Sequence, residues 1–80
     1  MDNTILYSVE EFDKALTEAI LTEVYNALLE RGYDPIKQLT GYLMSGDPGY
    51  ISSYKDARKK ITGIDRSKII EYLLDRVVGE

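Results

Sequence analysis

Between residues 12 and 28 the apolar side chains recur at helical spacing: Phe12, Ala15, Leu16, Ala19, Ile20, Val24, Ala27 and Leu28. On a wheel of about 100° per residue they span roughly 220°, against the ~100° that a surface helix needs. A helix apolar over that arc cannot be satisfied by a single neighbour. Either it is the centre of a bundle and its own chain wraps it, or a second copy covers the surplus. The chain has 80 residues, and below roughly 70–80 residues one core seldom supplies more than about 3–5 kcal/mol. That thin core favours the second copy, as does the prevalence of two-fold dimers among oligomers.

The other elements are punctuated by turn and cap residues. Ser8 and Glu11 have the spacing of a capping box, so the first helix is expected to start at Ser8 and to close at Gly32. Residues 1–7 then form a flexible N-terminal arm, since termini fray unless something ties them down. Asp34 as N-cap and Pro35 at the first helical position open a second helix, which Gly46 ends. Gly41 inside it costs about 1 kcal/mol relative to alanine, and a close helix crossing would explain it. Ser45-Gly46-Asp47-Pro48-Gly49-Tyr50 reverses the chain, with a short extra turn at Asp47-Pro48. A third helix is expected from Ser52 or Ser53 to Gly63, with Tyr54, Ala57 and Ile61 on one face. Asp65 caps a fourth helix with the apolar stripe Ile69, Ile70, Leu73, Leu74 and Val77, and Ile64 and Ile69 form a hydrophobic staple. No segment alternates with period two. The expected fold is all-α: a compact bundle of about four helices in one domain, residues 8–80, forming a homodimer.

Composition removes whole classes of chemistry. There is no cysteine and no histidine, so disulfides, thiolate sites, zinc and haem ligation, and His-activated nucleophiles are not expected. Neither a metal nor another cofactor is expected, nor an enzymatic activity. No apolar run approaches a membrane span, and Met1-Asp2-Asn3-Thr4 lacks the basic start of a signal peptide. A cytoplasmic protein without membrane insertion is expected. The net charge is −4, which does not attract nucleic acid. The charge is uneven, however. Residues 1–30 hold seven acidic groups and one basic, whereas residues 55–68 hold six basic (Lys55, Arg58, Lys59, Lys60, Arg66, Lys68) and two acidic. This asymmetry reads as a solvated helix face, or as a patch for self-association or docking.

Several residues merit weighing as sites. Glu10, Glu11 and Asp13 sit at a helix start, where the macrodipole holds carboxylates ionised and exposed; this is a structural role. The Ser45–Gly49 segment lacks the glycine-lysine of a phosphate loop, and Ser52 and Ser53 are caps rather than nucleophiles. Seven tyrosines accompany one phenylalanine. Tyr33, Tyr42, Tyr50 and Tyr54 gather around the second helix and its turn, where they serve a core or dimer interface, or stack bases beside the basic segment. Tyr33, Tyr42, Asp47, Tyr50 and Arg58 are the candidate partner or dimer surface. The helices also admit a DNA-binding helix-turn-helix reading through residues 55–68, against a turn longer than that motif uses. Thr4 is a hydroxyl residue in the expected arm, where a kinase finds an extended segment and a phosphate adds about −1.5 to −2 charge. It would dock on a patch such as Arg58/Lys59/Lys60 or repel Glu10/Glu11.

The central stretch carries a resemblance. It reads Val24-Tyr25-Asn26-Ala27-Leu28, Gly32-Tyr33-Asp34-Pro35-Ile36, Gln38-Leu39 and Gly41-Tyr42-Leu43. It continues Ser45-Gly46-Asp47-Pro48, Tyr50-Ile51, Asp56-Ala57-Arg58 and Ile61. This resembles the IreB family of small regulatory phosphoproteins of Gram-positive bacteria, from about Val24 to Ile61 and more loosely to Val77. The resemblance implies a non-catalytic helical homodimer. It implies a substrate of a transmembrane PASTA-domain Ser/Thr kinase, with a cognate phosphatase, acting on an unknown downstream protein in the envelope stress response and intrinsic cephalosporin resistance. It places phosphorylation on an N-terminal threonine. Asp2-Asn3-Thr4 matches the more helix-proximal of two such threonines in the family's pattern; the other has no counterpart here. The family's acidic stretch after the third helix is replaced by Thr62-Gly63-Ile64-Asp65-Arg66-Ser67-Lys68.

Overall fold

The computed structural model describes residues 3–79, and side chains from residue 10 to residue 79. Four α-helices follow one another: α1 (Asn3–Glu30), α2 (Pro35–Ser45), α3 (Ala57–Thr62) and α4 (Arg66–Val78). Two single 3₁₀ turns, Pro48–Tyr50 and Tyr54–Asp56, bridge α2 and α3. No strand occurs among the described residues. The fold is the expected all-α arrangement.

The helix ends follow from local chemistry. At the end of α1, Gly32 takes φ 84°, a left-handed conformation that costs glycine nothing. It donates to the Leu29 carbonyl at 3.0 Å while Tyr33 donates to the Leu28 carbonyl at 3.0 Å, the paired bonds of a Schellman end. The Asp34 carboxylate accepts the Ile36 and Lys37 amides at 3.1 and 3.2 Å, with Pro35 in the first turn of α2. Asp34→Ala is expected to lower stability by about 1 kcal/mol, read as a shift of the urea midpoint at constant slope. Asp65 accepts the Ser67 amide at 3.2 Å and opens α4.

Three expectations need correction. First, α1 begins at Asn3 rather than Ser8. Once a helix is nucleated over its apolar centre, each further residue adds a bond at little cost. Thr4-Ile5-Leu6-Tyr7 contains no breaker, so the helix overruns the capping-box signal. The expected arm is therefore helical from Asn3, and Met1 and Asp2 lie outside the described residues. Second, α3 begins at Ala57 rather than at Ser52 or Ser53, because Lys55 (φ 52°) and Asp56 (φ 61°) are both left-handed. Each such L-residue costs roughly 1–2 kcal/mol. Third, Gly41 does not serve a helix crossing. A Cβ there would run into the Tyr50 ring, which lies against the α2 backbone.

The core is Val24, Ala27 and Leu28 of α1, Tyr42 of α2, Ile51 of the connection, Ala57 and Ile61 of α3, and Ile69 of α4. Ile64 packs against it, close to where the staple with Ile69 was expected. Helices α2, α3 and α4 all pack on α1, so the long helix is central. It is not fully wrapped, however. Phe12 is 64% exposed and Leu16 44%. The radius of gyration is 13.7 Å and the extents are 46 × 26 × 19 Å. A chain of this length folded to ordinary compactness would have about 12 Å. The excess is the length of α1.

Candidate interaction surfaces

The turn from α2 toward α3 is built from its own polar groups. Ser45 Oγ donates to the Gly41 carbonyl at 2.7 Å and accepts the Asp47 amide at 3.0 Å. The Asp47 carboxylate accepts the Gly49 amide at 2.8 Å, and Gln38 Nε2 donates to the Tyr50 carbonyl at 2.9 Å. Arg58 Nε donates to the Ile51 carbonyl at 2.8 Å. These bonds seat Ile51 in the core and Tyr50 on Gly41. They explain why the sequence is so particular here: the side chains substitute for a backbone ladder.

The candidate surface residues divide accordingly. Asp47, Tyr50 and Arg58 are exposed and gather around this turn. Tyr33 is exposed as well but precedes the opposite end of α2. Tyr42 is 4% exposed and belongs to the core of its own chain, so it forms no part of a surface. It follows Leu39 by three residues, on the same face of α2, and that spacing was the available signal.

The basic segment spends most of its charge inside the chain. Lys55 pairs with Glu30 at 3.0 Å, Lys60 with Glu23 at 2.9 Å and Lys68 with Asp13 at 3.8 Å. Arg66 Nη1 donates to the Leu43 carbonyl at 2.9 Å, and Arg58 is held as above. Of the six basic groups, Lys59 alone has no such partner among the described residues. The acid–base asymmetry of the sequence is therefore largely a set of ties from α1 to the helices that follow it.

Two features escaped sequence reasoning. The first is a groove of about 520 Å³ between α1, α2 and α4, lined by Leu21, Tyr25, Ile36, Leu43, Leu73 and Val77 among others. Val77 is 80% exposed, and only Ile69 of the α4 stripe is fully buried. The width of that stripe was the available signal. Beside the groove, burial pushes the Tyr72 hydroxyl up from its ordinary pKa, and Glu18 adds to the shift. The second is a cluster at the end of α1. Tyr54 Oη donates to Glu30 at 3.0 Å, next to the Lys55 pair, and the Arg31 guanidinium lies 5.1 Å from the Tyr54 ring centre. The Lys55 and Tyr54 hydrogen bonds hold the Glu30 carboxyl below the usual carboxylate range, and Glu30 raises the Lys55 ammonium. A sequence separation of 24–25 residues leaves no local signal for it.

Among the described residues no group of acidic side chains is arranged to hold a metal ion. No described helix is long and apolar enough to cross a membrane. The fold displays a small helical domain with an apolar groove and a polar face tied by ion pairs. Residues 2–78 match the family model described as IreB regulatory phosphoprotein. The chain belongs to the IreB family, and its role is regulatory.

Proposed function

We propose that this chain is a non-catalytic phosphoprotein in which Thr4 accepts phosphate from a transmembrane PASTA-domain Ser/Thr kinase and a cognate phosphatase removes it. It works as a cytoplasmic homodimer and modulates the envelope stress response and intrinsic cephalosporin resistance through a downstream protein. The observation that carries this reading is the family match over residues 2–78, a span that includes Thr4. The exposed groove supports the dimer, because a partner would cover apolar side chains such as Val77 that the single chain leaves in water.

The geometry narrows how the phosphate acts. Thr4 and Glu23 share one helix, 19 residues apart (23 − 4). At 1.5 Å per residue that is about 28 Å. Glu23 holds Lys60, so the Arg58/Lys59/Lys60 cluster of the same chain is out of reach of a phosphate on Thr4. Repulsion of Glu10 and Glu11, about 10 Å along the same helix, remains in range. Thr4→Ala in the producing bacterium is expected to abolish the kinase-dependent part of cephalosporin resistance. Resistance that still followed kinase activity in that strain would refute the role of Thr4.

A further inference from the structure

A phosphate on Thr4 finds no cation within reach on its own helix. Lys14, the first cation of α1, lies ten residues on (14 − 4), about 15 Å at 1.5 Å per residue. That exceeds the Debye length of about 8–10 Å at ordinary ionic strength. Lys14 is also paired with Asp75, and Asp13 beside it holds Lys68. The basic residues of α3 lie farther still along α1, at the level of Glu23. A protein counter-charge for this phosphate therefore comes from another molecule.

One cleft gathers the positive charge that the ion pairs leave over. It has a volume of about 420 Å³ and is lined by Pro48, Ser53, Asp56, Arg58, Lys59 and Thr62. Lys59 is the member of the basic segment that the pairs to Glu30, Glu23 and Asp13 do not use. Arg58 spends Nε on the Ile51 carbonyl at 2.8 Å. That bond fixes the guanidinium and leaves its terminal nitrogens for a ligand, in the fork geometry that matches phosphate. Ser53 is exposed, and its side chain makes no capping bond. Thr62 is already committed, donating through Oγ1 to the Arg58 carbonyl at 2.9 Å. Asp56 is the opposing charge, and its carboxylate makes no capping bond either. Two cations against one carboxylate leave the cleft net positive.

We propose that this cleft is a phosphothreonine site, and that its occupant is the phosphorylated Thr4 segment of a second copy of the chain. The two surfaces are complementary in charge. Residues 1–30 hold seven acidic groups and one basic, and the cleft offers Lys59 and Arg58. The Lys59 ammonium, the Arg58 terminal nitrogens and the Ser53 hydroxyl donate to the phosphate oxygens, as charge-assisted bonds. Within a homodimer the second copy is held at high effective concentration, so weak contacts suffice. The inference rests on Thr4 as the acceptor and adds what reads its phosphate.

A synthetic peptide of residues 1–12 carrying phosphothreonine at position 4 tests it, titrated into the intact chain and followed by amide NMR shifts. The phosphopeptide should shift Ser53, Arg58 and Lys59 saturably, and bind more weakly as salt is raised. Inorganic phosphate and the unphosphorylated peptide should bind there more weakly than the phosphopeptide. Lys59→Ala should weaken the phosphopeptide about two- to fivefold, the range of an exposed ionic contact, and Asp56→Asn should tighten it by a similar factor. Both side chains are exposed, and asparagine tolerates the left-handed conformation at position 56. Shifts centred elsewhere, or an affinity that either substitution leaves unchanged, would overturn the proposal. So would inorganic phosphate or the unphosphorylated peptide binding as tightly as the phosphopeptide, the first being an adventitious ion only. The peptide bypasses the kinase. Its failure to bind counts against the docking alone, whereas a kinase that leaves Thr4 unlabelled counts against the reading beneath it.

Discussion

Leu28→Ala is expected to leave the isolated chain largely unfolded at room temperature. Leu28 is wholly buried in the core cluster that joins α1 to α2, α3 and α4. Truncating such a leucine removes about 3–5 kcal/mol, part in lost transfer energy and part in the cavity left behind. A core of this size holds only about 3–5 kcal/mol in total, so little remains. Urea titration followed by circular dichroism should show a pre-transition baseline already lost in the variant. If the proposed homodimer forms, raising the protein concentration should recover part of it, because association favours the folded form. A loss below about 1 kcal/mol would mean that the core is not centred where these packing relations put it.

The second large effect concerns the groove. The double variant Leu73→Glu, Val77→Glu places two carboxylates on a face that the single chain leaves in water, at 40% and 80% exposure. In the monomer the change costs little, since neither side chain supports the core. In a dimer closed over this groove, each charge would be buried without a partner, at about 3–5 kcal/mol apiece. If the proposed dimer closes over this groove, wild type should run as a dimer in light-scattering chromatography and the variant as a folded monomer. A variant that remained dimeric would move the interface to the other uncovered stripe, Phe12 and Leu16 on α1.

The contrast between sequence and structure is instructive at particular residues. Gly32, Asp34-Pro35, Gly46 and Asp65 announced their helix ends because each acts through bonds to residues two to five positions away. Ser8 misled because a cap signal competes with propagation, and propagation won. Ser53 misled because the left-handed pair after it accompanies contacts to Glu30, which is remote in sequence. Gly41 was legible as an anomaly but not as the seat of Tyr50, for the same reason. The basic segment read as a solvated helix face or as a docking patch, and only the paired distances showed its charge committed to Glu23, Glu30 and Asp13. Family membership was legible from the run Gly32 to Ile51, which the structure explains as a turn stabilised by its own side chains. Thr4 came from resemblance together with its place near the chain start.

The central claim is that this IreB-family protein is a phosphoprotein whose acceptor is Thr4. Incubation of the intact chain with the PASTA-domain kinase of its own organism and ATP, followed by intact-mass and fragment mass spectrometry, addresses it directly. The account predicts a single added phosphate, localised to Thr4 and absent from the Thr4→Ala protein. No added phosphate, or a phosphate on any other residue, would contradict it.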